Sequence, residues 1–321
     1  MCGRGVGTGR ETVGGAAVKR VQSSGPRVQK AVASFLTSLL IVSLVACAPP
    51  RSSHVVVGAK NFTEQVVLGE LLAQEIEAAG AGKVERRFYL AGSYLCQQAM
   101  VSGRIDAYVE YTGTALTAIL KQPVDRDAAR VRETVGRLYE QRYQVQAGPG
   151  LGFEDTFAMV VRGDDARRLR LRAISDVVGK TEISRLGVGY EFAERPDGLR
   201  GLSAAYGLRF AGSPRTMELG LLYRALAARQ VDIVAGNSTD GAIRALDFVA
   251  LEDDRHYFPP YEAVPLVREE SLRRWPQIEV AVQRLAGKVS ADEMRAMNLA
   301  VDSEHRDVGD VVREFRAKKG L

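Results

Sequence analysis

The fold class of this chain is indicated first by residues 55–65, VVVGAKNFTEQ. A short β-branched run breaks at Gly58 and leads directly into an amphipathic segment, which predicts a strand feeding the N-terminus of a helix. We expect Asn61 to cap this helix, with Glu64 three residues later as its reciprocal partner. Because free N–H groups at a helix start attract anions, Lys60 beside them predicts a site for a small carboxylate or phosphate.

An export signal is predicted from the residues before this stretch. Residues 1–30 are rich in basic residues, Gly and Ser, residues 31–46 are apolar and uncharged, and Cys47 follows the small residue Ala46. An apolar run of about 16 residues is short for a membrane span, which needs roughly 20. The pattern predicts a lipoprotein signal peptide over residues 1–46, a lipidated Cys47 and a tether over residues 47–54. An ordinary secretory signal or a single membrane anchor is the alternative. We expect an exported, lipid-anchored protein at the membrane surface, facing the periplasm or the cell exterior.

Charge and cysteine usage argue against several classes of protein. The chain has 44 Lys and Arg against 39 Asp and Glu, but six of the basic residues and one acidic residue lie in the leader. The remainder is balanced in charge, which gives no argument for nucleic-acid binding. The lone Cys96 and three scattered histidines offer neither metal-ligand spacing nor a catalytic triad. We therefore expect no metal, no cofactor and no enzyme activity.

The remainder of the chain alternates short apolar strands with helices, a pattern typical of α/β proteins. We expect strands at residues 55–58, 84–90, 105–108, 157–162, 186–190, 231–235 and 249–251, with a nearly all-helical tail from Leu272 to Lys319. Two phrases echo each other, GRIDA at residues 103–107 and RQVDI at residues 229–233. The echo predicts two similarly built lobes whose matched strands end at a shared cleft.

Five motifs occur in a fixed order along residues 55–321. They are KNFTEQ at 60–65, EYTGTAL at 110–116, ERPDG at 194–198, STDG at 238–241, and LEDD followed by FPPY within 251–261. This ordered set resembles the substrate-binding proteins of ABC transporters for osmoprotectants, the glycine betaine, carnitine and choline type. The resemblance implies a bilobed type II periplasmic-binding-protein fold with two α/β lobes joined by a two-stranded hinge. We expect lobe 1 at residues 55–154 and 263–321, and lobe 2 at residues 155–262.

The resemblance also implies a set of ligand-binding residues. A trimethylammonium group carries charge but no N–H, so aromatic faces are its favourable host, whereas a carboxylate needs cationic and hydroxyl donors. The resemblance implies an aromatic cage at Tyr111, Phe157, Asn237 and Tyr261, with Asp155 beside it, and carboxylate donors at Lys60, Thr114 and Arg195.

Two of these four cage positions are not tyrosine, because Phe157 has a ring without a hydroxyl and Asn237 has no ring. Tyr94 is a candidate to supply the aromatic ring that Asn237 lacks.

The expected function is the binding of a ligand, with no covalent bond made or broken. We expect a monomeric receptor that binds a quaternary-ammonium or zwitterionic ligand between its lobes and delivers it to the permease subunits of an ABC importer. Because Asn237 departs from the pattern, a different small polar amine or carboxylate is an open alternative as the ligand. Two rival functions remain open, a ligand sensor that acts through a partner protein and an enzyme built on the same fold.

Overall fold

The structure is a computed structural model that describes residues 53–321. The predicted signal peptide, Cys47 and nearly all of the predicted tether lie outside the described residues. Within the described part of the chain, helices cover two five-stranded sheets. None of the helices described there is long and apolar enough to cross a bilayer.

The two sheets are built from three consecutive stretches of chain. The first stretch holds β1 Val56–Gly58, α1 Thr63–Ala78, β2 Glu85–Arg87, α2 Ser93–Val101, β3 Ala107–Tyr111, α3 Thr112–Thr114 with its π-helical continuation Ala115–Ile119, α4 Ala128–Tyr143 and β4 Val145–Ala147. The second holds β5 Phe157–Arg162, α5 Gly163–Leu169, the 3₁₀ turn Ile174–Val177, β6 Leu186–Val188, α6 Tyr190–Glu194, α7 Leu199–Tyr206, β7 Arg215–Thr216, α8 Leu219–Ala227, β8 Ile233–Asn237, α9 Gly241–Ala245 and β9 Phe248–Leu251. The third holds β10 Ala263–Arg268, α10 Glu269–Arg274, α11 Gln277–Leu285, α12 Ala291–Asp302 and α13 Val308–Lys319.

The predicted strands are present, but several bounds differ and one central strand was not predicted. Strand β2 is only three residues long, because the chain turns shortly after Arg87 at Tyr89 and Ala91, both of which have positive φ. Strand β10 contains Pro265, a residue that weakens any prediction of a central strand. Its pairing with β3 and β4 on either side makes it part of the first sheet all the same.

The two sheets share one topology. The strand orders are β2-β1-β3-β10-β4 in lobe 1 and β7-β6-β8-β5-β9 in lobe 2, each with three parallel strands followed by an antiparallel neighbour. The echoing phrases occupy equivalent places. The carboxylate of Asp106 accepts a hydrogen bond of 2.8 Å from the N–H of Val56, and that of Asp232 accepts one of 2.9 Å from the N–H of Arg185. Each buried aspartate lies just before one parallel strand, β3 or β8, and its hydrogen bond connects that strand to the start of the neighbouring parallel strand, β1 or β6.

Two antiparallel segments connect the lobes. The N–H of Asp155 donates to the carbonyl of Tyr261 at 3.1 Å, and the N–H of Ala263 donates to the carbonyl of Phe153 at 3.1 Å. A bridge between Glu154 and Glu262 lies between these bonds. This arrangement matches the two-stranded hinge that the family resemblance implies.

Three carboxyl groups come together where helix α1 meets the hinge and lobe 2, and none of them has a cationic partner among the described residues. Glu64 accepts hydrogen bonds from the hydroxyl of Thr239 and, at 2.9 Å, from the amide of Asn298. Burial raises the pKa of Glu64, and burial beside Glu64 and Asp240 raises the pKa of Asp155 well above its usual value. Burial also raises the pKa of Asp240 to about 7. The cluster therefore binds protons at a higher pH than separate, exposed carboxyl groups do.

This cluster predicts that the protein is more stable at mildly acidic pH. The unfolded chain releases carboxyl protons near pH 4, so unfolding releases protons and the free energy of unfolding falls as the pH rises from about 4 through 7. Each such proton contributes at most about 1.4 kcal/mol per pH unit. Urea unfolding at pH 5, 6, 7 and 8 measures this slope, and Asp240→Asn is expected to reduce it.

The control for this experiment is Glu194→Gln, which removes an exposed carboxylate of lobe 2. It is expected to leave the slope unchanged. A wild-type stability that rises between pH 5 and 8, or equal slopes for wild type and Asp240→Asn, would contradict the prediction.

Candidate ligand-binding site

A cleft of about 350 Å³ lies between the two sheets, within the size range of small-molecule sites. Much of its wall comes from residues that end or follow the parallel strands of both lobes, where ligands of α/β sheets usually bind. The structure brings all eight predicted site residues to this wall: Lys60, Tyr111, Thr114, Asp155, Phe157, Arg195, Asn237 and Tyr261. Their contact with a ligand remains a prediction. Their convergence in one cleft is an observation.

Lys60 is not the free cation that its place beside a helix start predicts. Its ammonium group is buried and forms an ion pair with the buried carboxylate of Glu110. It also lies 4.8 Å from the centre of the Tyr111 ring. The hydroxyl of Tyr111 donates a hydrogen bond of 2.7 Å to Glu64. Lys60 and Tyr111 are thus held in place by buried carboxylates behind the cleft wall.

The predicted cap of helix α1 is wrong. The helix begins at Thr63 with Phe62 in the N-cap position and no side-chain cap. The amide of Asn61 donates instead to the carboxylate of Glu218 in lobe 2, at 2.8 Å. Glu64 is drawn inward by Tyr111 and by the lobe 2 hydroxyl of Thr239. Contacts made by the other lobe therefore override the local capping preference.

Arg195 stands at the centre of a network that joins both lobes and the hinge. Its guanidinium forms a two-pronged ion pair with Asp197 and donates to the hydroxyl of Thr114 at 2.9 Å. The hydroxyl of Tyr261 also donates to Asp197, and that of Thr117 does so at 3.0 Å. Burial works against the Asp197 charge, but the hydrogen bonds from Arg195, Tyr261 and Thr117 outweigh it and lower the pKa of this carboxyl.

Gly113 in the Tyr-Thr-Gly motif has a packing role. A Cβ at this position would lie 2.7 Å from the ring of Tyr261 and 2.8 Å from the carbonyl of Pro260. The hinge aromatic therefore packs directly on the backbone of lobe 1. This contact brings two of the five sequence motifs, 110–116 and the Pro-Pro-Tyr turn, together at the floor of the cleft.

The aromatic part of the wall is centred on Phe157. Its ring lies 4.8 Å from that of Phe192 and 5.7 Å from that of Tyr261, both in edge-to-face geometry. The guanidinium of Arg195 lies 4.8 Å from the centre of the Phe157 ring. Asn237 on β8 pairs with Phe157 on β5, and both residues line the cleft. The amide of Asn237 therefore lies beside the Phe157 ring in the cleft wall.

Several cleft residues of lobe 2 were not predicted from the sequence, namely Tyr190, Glu191, Phe192, Met217 and Glu218. They follow strands β6 and β7, which are the counterparts of β1 and β2 in lobe 1. The sequence signal that points to them is the similarity between residues 103–107 and 229–233. It indicates that the two lobes are built alike, so that strands β6 and β7 end at the cleft as β1 and β2 do. Tyr94 also lines the cleft and is 39% exposed, and the ammonium of Lys121 lies 5.0 Å from its ring centre.

Two glutamates of lobe 2 reach across the cleft to lobe 1. Glu218 accepts from Asn61, and Glu191 accepts from the N–H of Ser93 at the start of helix α2. A Cβ on Gly92 would overlap the Glu191 carboxylate, so the absence of a side chain at Gly92 permits this approach. These contacts hold the lobes together at the rim, as the Arg195 network does at the floor.

Among residues 53–321, no group of three or more His, Cys, Asp or Glu side chains is arranged so that it could hold a metal ion. Within those residues, Cys96 is buried in an apolar cluster of lobe 1, where burial raises its thiol pKa to about 12. Each charged side chain of the cleft wall is engaged in an ion pair or a hydrogen bond that fixes its position.

Comparison with known proteins places the chain in a family. A family model described as the substrate binding domain of ABC-type glycine betaine transport systems matches residues 53–318. The chain is 31% identical to a carnitine transport binding protein of Listeria monocytogenes, over 90% of this chain and 97% of that protein. It is also 31% identical to a glycine-betaine-binding protein of Pseudomonas aeruginosa, over 86% and 91% of the two chains.

The solved structures agree with these matches. A crystal structure described as a glycine betaine/carnitine/choline ABC transporter superposes with a TM-score of 0.69 at 30% identity, covering 83% of this chain and 98% of that chain. The bilobed type II periplasmic-binding-protein fold and the expectation of a non-enzymatic solute-binding protein are confirmed by these likenesses. The chain therefore belongs to the family of substrate-binding domains of ABC-type glycine betaine transport systems.

Proposed function

We propose that this protein is a lipid-anchored extracytoplasmic receptor that captures a small quaternary-ammonium solute and delivers it to an ABC permease. Glycine betaine, choline and carnitine are the candidate ligands. The observation that carries this proposal is a cleft of about 350 Å³ whose wall contains the rings of Tyr111, Phe157 and Tyr261. Aromatic faces attract a cation that has no N–H to donate, and a quaternary ammonium is such a cation.

The buried side of the cleft supports this ligand class. Lys60 and Arg195 are each neutralised by a buried carboxylate, so they orient the rings without presenting an unbalanced positive charge to a ligand ammonium. Buried charges are tolerated when they are paired and hydrogen-bonded, and both pairs meet that condition. The rings are thereby fixed before a ligand arrives, which reduces the ordering cost of binding.

The proposed delivery step depends on lobe movement about the hinge. Contacts between Asn61 and Glu218, and between Thr114 and Arg195, join opposite walls of the cleft. A ligand between these walls adds contacts to both lobes, so it favours the closed arrangement over an open one. Closure about two hinge segments is an established motion of binding proteins with two rigid lobes.

A second candidate has the same transport role with a different small polar amine or carboxylate as ligand. Asn237 favours it, because an amide in the cleft wall offers hydrogen bonds where a ring would offer a face. Titration with methylated and unmethylated amines separates this candidate from the quaternary-ammonium proposal.

The ligand class is tested by calorimetric titration of the purified full-length protein in a nonionic detergent. Choline, glycine betaine and carnitine are titrated alongside ethanolamine and glycine, which lack the methyl groups. We expect saturable binding of at least one methylated compound and none of the primary amines at equal concentration. Binding of the primary amines alone would favour the second candidate, and a folded protein that binds no quaternary ammonium would contradict the proposal.

Phe157→Leu tests the aromatic wall. Leucine keeps apolar volume but removes the ring face, so the affinity for a quaternary ammonium is expected to fall by about three- to thirty-fold. Calorimetry against the best ligand of the panel measures the change. Phe248→Leu is the matched control, because it removes a half-buried ring of lobe 2 that stacks on Tyr223 outside the cleft. Equal effects of the two substitutions would contradict a ligand role for Phe157.

Cys47→Ser tests the lipid anchor. A serine at this position cannot form the thioether on which lipidation of the mature N-terminus depends, so the protein is expected to move from the membrane fraction to the soluble fraction of the cell envelope. Fractionation and immunoblotting measure this distribution. Full retention of the variant in membranes would show that residues 31–46 act as an uncleaved anchor instead.

A further inference from the structure

We propose that this cleft selects a net cation over a zwitterion, and that Glu191 and Glu218 are the residues that set this preference. The favoured ligand is a quaternary ammonium that carries a neutral polar group in place of a carboxylate. This inference rests on the proposed function of the same cleft and narrows its ligand class.

Five formally charged side chains line the cleft: Lys60, Asp155, Glu191, Arg195 and Glu218. Both cations are already paired, Lys60 with Glu110 and Arg195 with Asp197, and all four of these side chains are buried. Neither cation is therefore an unengaged partner for a ligand carboxylate.

Of the three acidic side chains, Asp155 is the one whose burial favours the uncharged acid form. It is buried beside Glu64 and Asp240, and that burial raises its pKa well above the usual value. A carboxyl group in its acid form donates or accepts hydrogen bonds without repelling a ligand. Because both cations of the wall are paired, Glu191 and Glu218 carry unbalanced negative charge whichever form Asp155 takes.

Glu191 and Glu218 hold their positions through neutral donors. The carboxylate of Glu191 accepts from the backbone N–H of Ser93, and that of Glu218 accepts from the side-chain amide of Asn61 at 2.8 Å. Among the ion pairs of the described residues, none includes either glutamate. Their negative charges are thus fixed at the cleft rim without an ion-pair partner among the described residues, and the cation that acts on Glu191 from a distance, Arg195, is already paired with Asp197.

Glu191 also occupies the place where a ligand anion would otherwise bind. The start of helix α2 offers backbone N–H groups and the positive end of the helix dipole, which attract carboxylates. The Glu191 carboxylate already takes the N–H of Ser93, and it sits so close to Gly92 that a Cβ there would overlap it. A ligand carboxylate would have to displace Glu191 or lie beside it as a like charge.

A neutral polar group on the ligand has a matching partner instead. Ser93 lines the cleft, and its buried hydroxyl has no hydrogen-bond partner among the described residues. A buried hydroxyl without a partner is costly, so a ligand hydroxyl that pairs with it gains affinity. Choline and glycine betaine form a matched pair of probes. Both carry a trimethylammonium group, but choline has a hydroxyl where glycine betaine has a carboxylate.

Competitive calorimetry on the full-length protein compares these two probes at one ionic strength. We expect choline to bind at least about tenfold more tightly than glycine betaine, because fixed negative charge attracts the cation and repels the carboxylate. Equal affinities, or tighter binding of glycine betaine, would overturn the inference while leaving the proposed function intact. A folded protein that binds neither probe nor carnitine would overturn the proposed function and the inference with it.

Glu191→Gln and Glu218→Gln identify the residues responsible. Glutamine keeps an oxygen that accepts from Ser93 or Asn61, so each variant removes charge and little else. We expect each to lower the choline-to-betaine affinity ratio by at least about threefold, since one fixed charge is lost. The ratio isolates this effect, because altered lobe closure would change both affinities together.

Glu194→Gln is the matched control, since Glu194 lies on the same short helix as Glu191, is exposed, and does not line the cleft. It is expected to leave the ratio unchanged. A ratio that is the same in the wild type, Glu191→Gln and Glu218→Gln would overturn the assignment of these glutamates. Thermal unfolding of each variant checks that the fold is retained.

Discussion

The ion pair between Arg195 and Asp197 is the interaction on which the cleft depends. Both side chains are almost fully buried, and burying an unpaired charge would cost several kcal/mol, so the pair forms as a unit. Its remaining hydrogen-bonding groups are satisfied by Thr114 and Thr117 from lobe 1 and by Tyr261 from the hinge. Loss of either charge would leave the other buried and unpaired. The pair therefore needs partners from beyond its own motif, and it is hydrogen-bonded to residues of lobe 1 and of the hinge.

The same requirement governs the rest of the wall. Lys60 is buried against Glu110, and the three carboxyls near helix α1 have no cationic partner among residues 53–321, so burial raises the pKa of each. Rings then pack against these satisfied charges, with Lys60 over Tyr111 and Arg195 over Phe157. The cleft thus offers a ligand aromatic surface that has been positioned in advance. The charges left to act on the ligand are the two glutamates at the rim.

Much of the fold could be predicted because its signals are local. Strands β1, β5, β6 and β9 and the long helix α1 follow from short apolar runs and their turns, and the echo around Asp106 and Asp232 indicated two lobes of one design. Strand β10 could not be predicted in the same way, since its neighbours β3 and β4 are more than 100 residues away in sequence. The cap of α1 failed for a similar reason, because Asn61 bonds to a glutamate 157 residues distant.

The sequence by itself determined the α/β class through its periodicity and the family resemblance through its ordered motifs, and that resemblance implied eight residues that meet in one cleft. Only the tertiary structure decided the charge state of that cleft. It paired Lys60 with Glu110 and brought Glu191 to the start of helix α2, 98 residues earlier in the chain. Electrostatic energy depends on the distance between two charges and on their burial. The amino-acid sequence gives neither quantity for residues that are far apart along the chain.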